Sequence, residues 1–426
     1  MINVYDLHFT KEIVPLFDYL YNEHSRGVLM QVLTEVPGSV EEIYLRQGIL
    51  KALLQHKHLY VPISYSRVEF NQVYSYIEEK RTRSNMTGVS LKIHFIFAPS
   101  ERNREKGGLY QLFYFLHKMN EIYFSRLLID IFPISFRDRL ANIRRMLSEL
   151  QVEKYYAIAR GRGLSLSETA HLAELIQMKM NEGEMDLFWK DFFVFEAWYS
   201  ISKGIHLHRL NFPSFRDGAL IISEFYHPLL KYPVRNSLVT EHPVTLITGP
   251  NMSGKSTLLK SIGLCVYLAH LGVAVPAEEC VLPFFDVISV AINLNDDMQH
   301  GYSHFMMEVQ TLKKVVVQAR ERRRCFAIFD ELFRGTNIED ALAISKMTVK
   351  GLTVFQGSFF LISTHLHQLE ETTVMDVIHT CCIDCSLEEG RPVFTYKLKP
   401  GWSDLKLGQV IFRQEGLDEL LSGSDG

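Results

Sequence analysis

Apolar and polar positions alternate in two regimes along the chain, and the change falls near residues 204 to 243. Before it, apolar residues recur at three- and four-residue spacing. Leu140, Ile143, Leu147 and Leu150 show this, and the spacing sets them on one side of a helix. Leu187 to Ser202 is apolar on most sides, with Phe188, Trp189, Phe192, Phe193, Phe195 and Trp198. That predicts a core helix rather than a platform on which bases stack. Asn85 to Gly88 and Lys106 to Gly108 carry turn chemistry, and the apolar run Val89 to Phe97 predicts a short strand. After the change, Val244 to Thr248, Cys325 to Phe329 and Phe359 to Ser363 are short apolar runs separated by helical stretches. They predict strands of a sheet covered by helices on its faces. The expected fold is therefore mixed: a mainly α-helical region over residues 1–215, an α/β domain over 216–420, and a disordered polar tail over 421–426.

Composition narrows the function classes. Hydrophobic residues make up 47% of the 426 positions and charged residues 22%, as in an ordinary globular protein. The formal net charge of −4 supplies no global attraction for nucleic acid, so any such contact needs local basic patches. Arg320, Arg322, Arg323 and Arg324 form one basic run, and Lys80, Arg81 and Arg83 another; both read as solvated faces. The start, Met1 to Asp6, has neither a basic leader nor an apolar signal core, and no apolar stretch is long enough to span a bilayer. A cytoplasmic protein with no membrane partner is expected. Cys381, Cys382 and Cys385 cluster without a second Cys or His pair at metal-ligand spacing, which favours idle thiols over zinc.

The chemistry is concentrated in the second region. Gly249, Pro250, Asn251, Met252, Ser253, Gly254, Lys255 and Ser256 form a complete G-x-x-x-x-G-K-[ST] loop between a predicted strand and a helical pattern that runs from Thr257 to His270. Such a loop turns backbone N–H groups inward around phosphates, and the following helix adds its positive end. Lys255 then sits between the outer phosphates, and Ser256 holds Mg2+. Cys325 to Phe329 ends in Asp330 and Glu331. An acid at the tip of a strand beside such a loop can hold Mg2+, the role expected of Asp330, and Glu331 is placed to act as general base on an attacking water. Phe359 to Ser363 delivers His365, which suits sensing of a terminal phosphate. Ser303 precedes a helical pattern in which Met306, Val309, Leu312 and Val316 share a face, so it is an N-cap whose hydroxyl and neighbouring N–H groups can bind an anion.

With these residues in view, the second region resembles the ATPase domain of the MutS family of DNA mismatch repair proteins. The resemblance is carried by Thr248 to Thr257, by Asp296-Asp297 with Gly301 to Glu308, by Phe329 to Asn337, by Ser363-Thr-His365 and by Tyr396 to Gly401, spanning about residues 220 to 417. The Gly-Pro-Asn-Met loop is highly specific. The helical region before it resembles, more weakly, the family's core and lever helices. The resemblance implies an ABC-type P-loop fold, ATP and Mg2+ as ligands, and ATPase domains packed face to face in a homodimer. Ser303 of one subunit then completes the site built on Lys255, Ser256, Asp330, Glu331 and His365 of the other. Asn251 matches the loop asparagine that contacts nucleotide, Thr257 continues the loop motif, and Gly335, Thr336 and Asn337 fall at the family's interface loop. The adenine is expected near Pro233 to Leu238.

Three features depart from the family pattern. Its mismatch readers carry a Phe-x-Glu wedge, and here that spacing occurs only in Phe329-Asp-Glu331, already assigned to other work. About 200 residues before the ATPase region leave no room for separate mismatch-binding and connector domains. Asp404 to Gly408 replaces the usual Ser-Tyr-Gly stretch, and long C-terminal dimerisation helices are not expected. The expected function is ATP-driven switching of a DNA clamp, with contacts to DNA backbone, little mismatch discrimination and possible repair partner proteins. The alternatives are a related ATPase acting on branched DNA or another structured nucleic acid or ribosome, and an ATP-binding scaffold with little turnover.

Overall fold

The structure, a computed structural model, describes residues 1–60, 65–81, 88–292, 304–333, 335–370, 377–388, 391–403 and 407–421. It has mixed helix and strand content and divides into two compact units. One comprises Met1–Pro15, Val36–Tyr44 and His208–Gly426; the other comprises Leu16–Glu35 and Leu45–Leu207. The division after Leu207 falls within the expected transition. Met1–Pro15 and Val36–Tyr44, however, belong with the later unit and not with the helical region.

The helical unit is organised by its aromatic residues. Helix Glu184–His208 buries Phe188, Trp189, Phe192, Phe195 and Trp198, as a helix that is apolar on most sides must. Helix Ile134–Glu149 buries Phe136, Leu140, Ile143 and Leu147 along one stripe, and Leu150 at its end is fully buried. Helix ends are closed locally. Asn22 accepts a hydrogen bond from Ser25 N–H at 2.7 Å, and Ser165 with Glu168 forms a reciprocal capping box.

Two sequence expectations fail in this unit. Val89 to Phe97 lies in a helix, Gly88–Phe97, which packs on helices Pro99–Met119 and Leu166–Asn181. A short apolar run does not distinguish strand from helix by periodicity, and an all-helical unit gives a lone strand no backbone partner. Lys106 to Gly108 lies inside helix Pro99–Met119 and is not a turn. Gly108 is there for close approach: a Cβ would come within 2.3 Å of the Tyr76 ring.

A buried carboxylate sits in the same core. Glu196 accepts hydrogen bonds from Asn22 Nδ2 at 2.7 Å, Ser25 Oγ at 2.8 Å and Tyr65 OH at 2.8 Å. Burial pushes its pKa up to about 7, although these three donors pull it down. A folded-state value above the unfolded one means that folding takes up a proton. The stabilising contribution is therefore complete below the ordinary Glu range and is lost as pH rises through about 7. Glu196→Gln is expected to flatten the fall in unfolding free energy between pH 5 and pH 8, measured by urea denaturation at each pH. An unchanged slope would show that Glu196 does not titrate in that range.

The second unit is built on sheets. Its strands, in chain order, are β1 (Ile2–Asn3), β2 (Ser214–Phe215), β3 (Leu220–Phe225), β4 (Asn236–Thr240), β5 (Val244–Thr248), β6 (Glu279–Leu282), β7 (Val287–Ala291), β8 (Cys325–Phe329), β9 (Phe359–Ser363), β10 (His379–Glu388) and β11 (Arg391–Pro400). The larger sheet has the order β1-β7-β8-β9-β5-β10-β11, parallel except for the β10–β11 pair. A smaller sheet has the order β2-β6-β3-β4. β5, β7, β8 and β9 are buried at every position, as strands covered on both faces require. The three strands expected from the sequence occupy the residues expected.

β1 explains why the first residues join this unit. Ile2 and Asn3 pair with Ile288 and Ser289, and the Asp6 carboxylate accepts the Ile292 N–H at 2.7 Å. The chemical cluster on β10 is unremarkable in geometry: Cys381 is buried with its Sγ 3.5 Å from His379 Nε2, and the thiols of Cys382 and Cys385 are half-buried. Among the described residues no helix is long and apolar enough to cross a membrane.

Candidate functional site

The parallel strands bring the chemistry together. Ile247 of β5 pairs with Ser363 of β9, and Phe329 of β8 pairs with Ile362, so the segments after these three strands emerge side by side. Asp330 N–H donates to Ala291 O at 3.0 Å and Thr364 N–H to Ile247 O at 3.1 Å, which extends the ladder one residue past the strands. The loop Gly249 to Gly254 follows β5 directly.

That loop turns by left-handed backbone at Gly249 (φ 145°), Met252 (φ 70°) and Gly254 (φ 94°). Gly254 is doubly required, because a Cβ there would also sit 3.1 Å from the Tyr396 ring. Met252 holds such a conformation with a side chain 75% exposed, and Asn251 is exposed beside it. Helix Lys255–His270 then begins with no side-chain cap, leaving its first N–H groups directed into the loop. Lys255 is 5% exposed, and its ammonium donates to Gly249 O at 2.9 Å and Pro250 O at 3.0 Å. Burial lowers its pKa, while the Glu331 and Asp330 carboxylates raise it. The Ser253 hydroxyl is buried with no hydrogen-bond partner among the described residues. Pro250 is buried, whereas Ser256 and Thr257 are exposed on the first helical turn.

The acid pair faces this loop. Ser256 Oγ donates to Asp330 Oδ2 at 2.5 Å, and Ser363 Oγ donates to Asp330 Oδ1. Ser363 Oγ also accepts the Glu331 N–H at 2.9 Å, so one hydroxyl sets both acids. Glu331 has φ 53°, a left-handed conformation rare for a residue with a long side chain, and its Oε1 contacts His365 Nε2. The structure thus gathers Lys255, Ser256, Asp330, Glu331 and His365 at one end of the sheet. Ser303, Asp296, Asp297, Gly301 and Tyr302 lie outside the described residues.

Helix His304–Arg320 differs from its expected face. Its buried stripe runs through Glu308, Thr311, Val315 and Ala319, with Leu312 and Val316 at the margin and Met306 39% exposed. The reason is polar: Glu308 is buried and accepts the Phe333 N–H at 2.7 Å, which anchors the turn after the acid pair. Gly335 packs against Phe305, where a Cβ would lie 3.0 Å from the Phe305 Cβ. Asn337 caps helix Ile338–Leu352 by accepting the Asp340 N–H at 2.8 Å.

Sequence reasoning missed a cavity of about 320 Å3 beside the loop, lined by Ser253, Gly254 and Thr257 on one side. Val234 and Asn236 lie within the stretch expected to hold a base and Tyr232 just before it, but most of the wall comes from elsewhere: Phe225 at the end of β3, Tyr226 and His227 after it, and Tyr396 of β11. Tyr396 has φ 56° and its carbonyl accepts Asn236 Nδ2 at 3.0 Å, while Asn236 Oδ1 accepts Leu398 N–H at 2.8 Å. A single asparagine therefore holds the backbone that carries the ring. The bonds that Ser363 and Asn236 make were not legible in sequence, since each acts across strands far apart in the chain.

Comparison with known proteins finds similarity over the region that carries these residues. The family described as MutS domain V matches residues 245–419, which include the loop, the acid pair and His365. The chain is 35% identical over 185 residues to the DNA mismatch repair protein MutS of Streptococcus sanguinis, covering 42% of this chain and 21% of that protein. It is 34% identical over 214 residues to the protein of the same name from Bacillus cytotoxicus, covering 47% and 23%. A longer match, 29% over 285 residues, joins it to the Bacillus cereus protein of that name, covering 64% and 30%. The matched stretch thus spans less than a third of the length of these curated relatives. The part of the chain that carries the clustered residues is thus similar to domain V of the MutS family.

Proposed function

We propose that this chain binds and hydrolyses ATP with an ABC-type P-loop site and uses the cycle to switch a dimeric DNA clamp of the mismatch repair type. The observation that carries the reading is the convergence of a buried lysine, a hydroxyl–carboxylate pair and a carboxylate–histidine pair on one glycine-turned loop. Two features suit a polyphosphate. The buried Ser253 hydroxyl has no partner among the described residues, and the Lys255 ammonium donates to two loop carbonyls. Phosphate oxygens would satisfy both.

In this reading, loop N–H groups and Lys255 bind the outer phosphates, with Asn251 at the rim. Ser256 and Asp330 would hold Mg2+, which supplies charge neutralisation on those phosphates when bound. Glu331 orients and deprotonates the attacking water, and His365, touching Glu331, reports on the terminal phosphate. The adenine occupies the cavity between Tyr396 and the segment after β3. Tyr396 lines this cavity, and an aromatic ring is a suitable partner for stacking. DNA as the partner is supported by the names of the relatives. The mainly helical unit would supply the backbone contacts, and Ser303 would act on the nucleotide of the facing subunit.

The test is Mg2+-dependent ATP turnover in mixtures of two inactive variants. Lys255→Ala mixed with Ser303→Ala is expected to recover activity, because a mixed dimer has one site with both parts intact. Adding DNA to the parent protein is expected to change its turnover. Inactive mixtures at every ratio would reject action across a dimer, and a parent protein without turnover would reject the ATPase reading itself.

A further inference from the structure

A second cavity, about 390 Å3 in volume, opens on the helical unit and has no part in the ATP reading. It lies among helices Glu23–Thr34, Arg67–Arg81, Ile134–Glu149 and Glu184–His208. Tyr74, Trp189 and Phe193 form its aromatic wall, with ring centroids 5.7 Å (Tyr74–Trp189), 5.9 Å (Trp189–Phe193) and 6.0 Å (Tyr74–Phe193) apart. Trp189 is 3% exposed, and its indole N–H is buried with no hydrogen-bond partner among the described residues. A buried donor of this kind normally has an acceptor.

The charged lining is cationic: Arg81, Arg139 and Lys190 against the single acid Asp186. Arg139 is braced from behind by the buried carboxylate of Asp191 at 2.6 Å, whose other oxygen accepts Asn142 Nδ2 at 3.2 Å. Arg81 is shared between Asp186 and Glu78. Lys190 is exposed and makes no ion pair among the described residues. The volume falls in the range of sites that enclose a small ligand. Aromatic side chains and a cationic rim together suit a planar group joined to an anion.

We propose that this cavity binds a nucleoside monophosphate unit, with its base among Tyr74, Trp189 and Phe193 and its phosphate on Lys190, Arg81 and Arg139. The base stacks on the aromatic faces. The phosphate takes charge-assisted hydrogen bonds from the rim. Only an unpaired base can enter, since a duplex hides both of its faces. The unit is therefore either a free nucleotide or an unpaired nucleotide of a strand. Trp189 and Phe193 belong to the aromatic run read from sequence as core; they pack the core and also line the cavity.

The experiment uses the full chain carrying Lys255→Ala, so that its outcome does not depend on the proposed ATP site. A fluorescein-labelled oligothymidylate is titrated by anisotropy, and dTMP binding is followed by equilibrium dialysis and by competition. Saturable binding of at least one probe is expected. Lys190→Glu, on an exposed position, is expected to weaken it by about tenfold by reversing a rim charge. Val28→Trp, which fills the cavity wall, is expected to weaken it at least as much, with thermal unfolding showing that both variants remain folded. If dTMP binds and competes, the source is a free nucleotide; if only the oligomer binds, it is a unit within a strand, and either supports the proposal. No binding of either probe up to about 1 mM, an affinity of only about 4 kcal/mol, overturns it, as does parent affinity in both variants.

Discussion

Lys255→Ala is expected to remove ATP binding, with affinity falling by roughly a hundredfold or more and turnover becoming undetectable. The ammonium is almost fully withdrawn from water, and its described partners are the carbonyls of Gly249 and Pro250. Burial lowers its pKa, while Glu331 and Asp330 oppose that shift and favour the charged form. A buried cation facing phosphate makes charge-assisted hydrogen bonds worth about 1.5–3 kcal/mol each. Losing two of them costs about 3–6 kcal/mol, which corresponds to a factor of about 10² to 10⁴ in affinity. Titration with a fluorescent ATP analogue measures this directly, and a thermal melt separates lost affinity from lost fold. Parent-like affinity in a folded variant would remove Lys255 from the phosphate site.

Glu331→Gln should do the opposite to the two steps. Binding is expected to stay within about threefold of the parent, while hydrolysis falls by about 10² to 10⁴, the usual worth of a general base. The substitution keeps the shape of the side chain. It also leaves the Glu331 N–H to Ser363 Oγ bond, which positions the backbone, untouched. What it removes is the basic oxygen that contacts His365. Single-turnover hydrolysis under saturating ATP isolates the step, and parent-rate hydrolysis there would mean that the base lies elsewhere. The two variants together distinguish a failure to bind from a failure to react.

What sequence reading found here is what lies close together in the chain. The loop from Gly249 to Ser256, the acids after Cys325 to Phe329 and His365 after Phe359 to Ser363 are contiguous patterns, and the strands that carry them occupy the residues expected. The site's remaining parts depend on chain crossings that leave no local pattern. Ser363 serves two acids more than thirty positions earlier. Asn236 holds Tyr396 across 160 positions. Glycines misled the reading in the helical unit, because the Gly108 position reflects a close neighbour, Tyr76, and not a bend. Glu308 misled it too: a polar residue on the buried stripe shifted the inferred face of its helix.

The strand Ile2–Asn3 has a consequence for how the chain is made. Its partner, Val287–Ala291, is synthesised only after the whole helical unit has left the ribosome. At the usual elongation rate of roughly 5–20 residues per second, the first residues wait some tens of seconds for their place. The helical segments, whose contacts are more local, can settle during that interval. Until Met1 O receives the Ile288 N–H and the Met1 ammonium reaches Asp286 O, the far edge of the sheet presents an open row of hydrogen-bonding groups. The edge formed by Ile2–Asn3 is thus set by residues made nearly three hundred positions later, and a tag fused ahead of Met1 would continue from that edge.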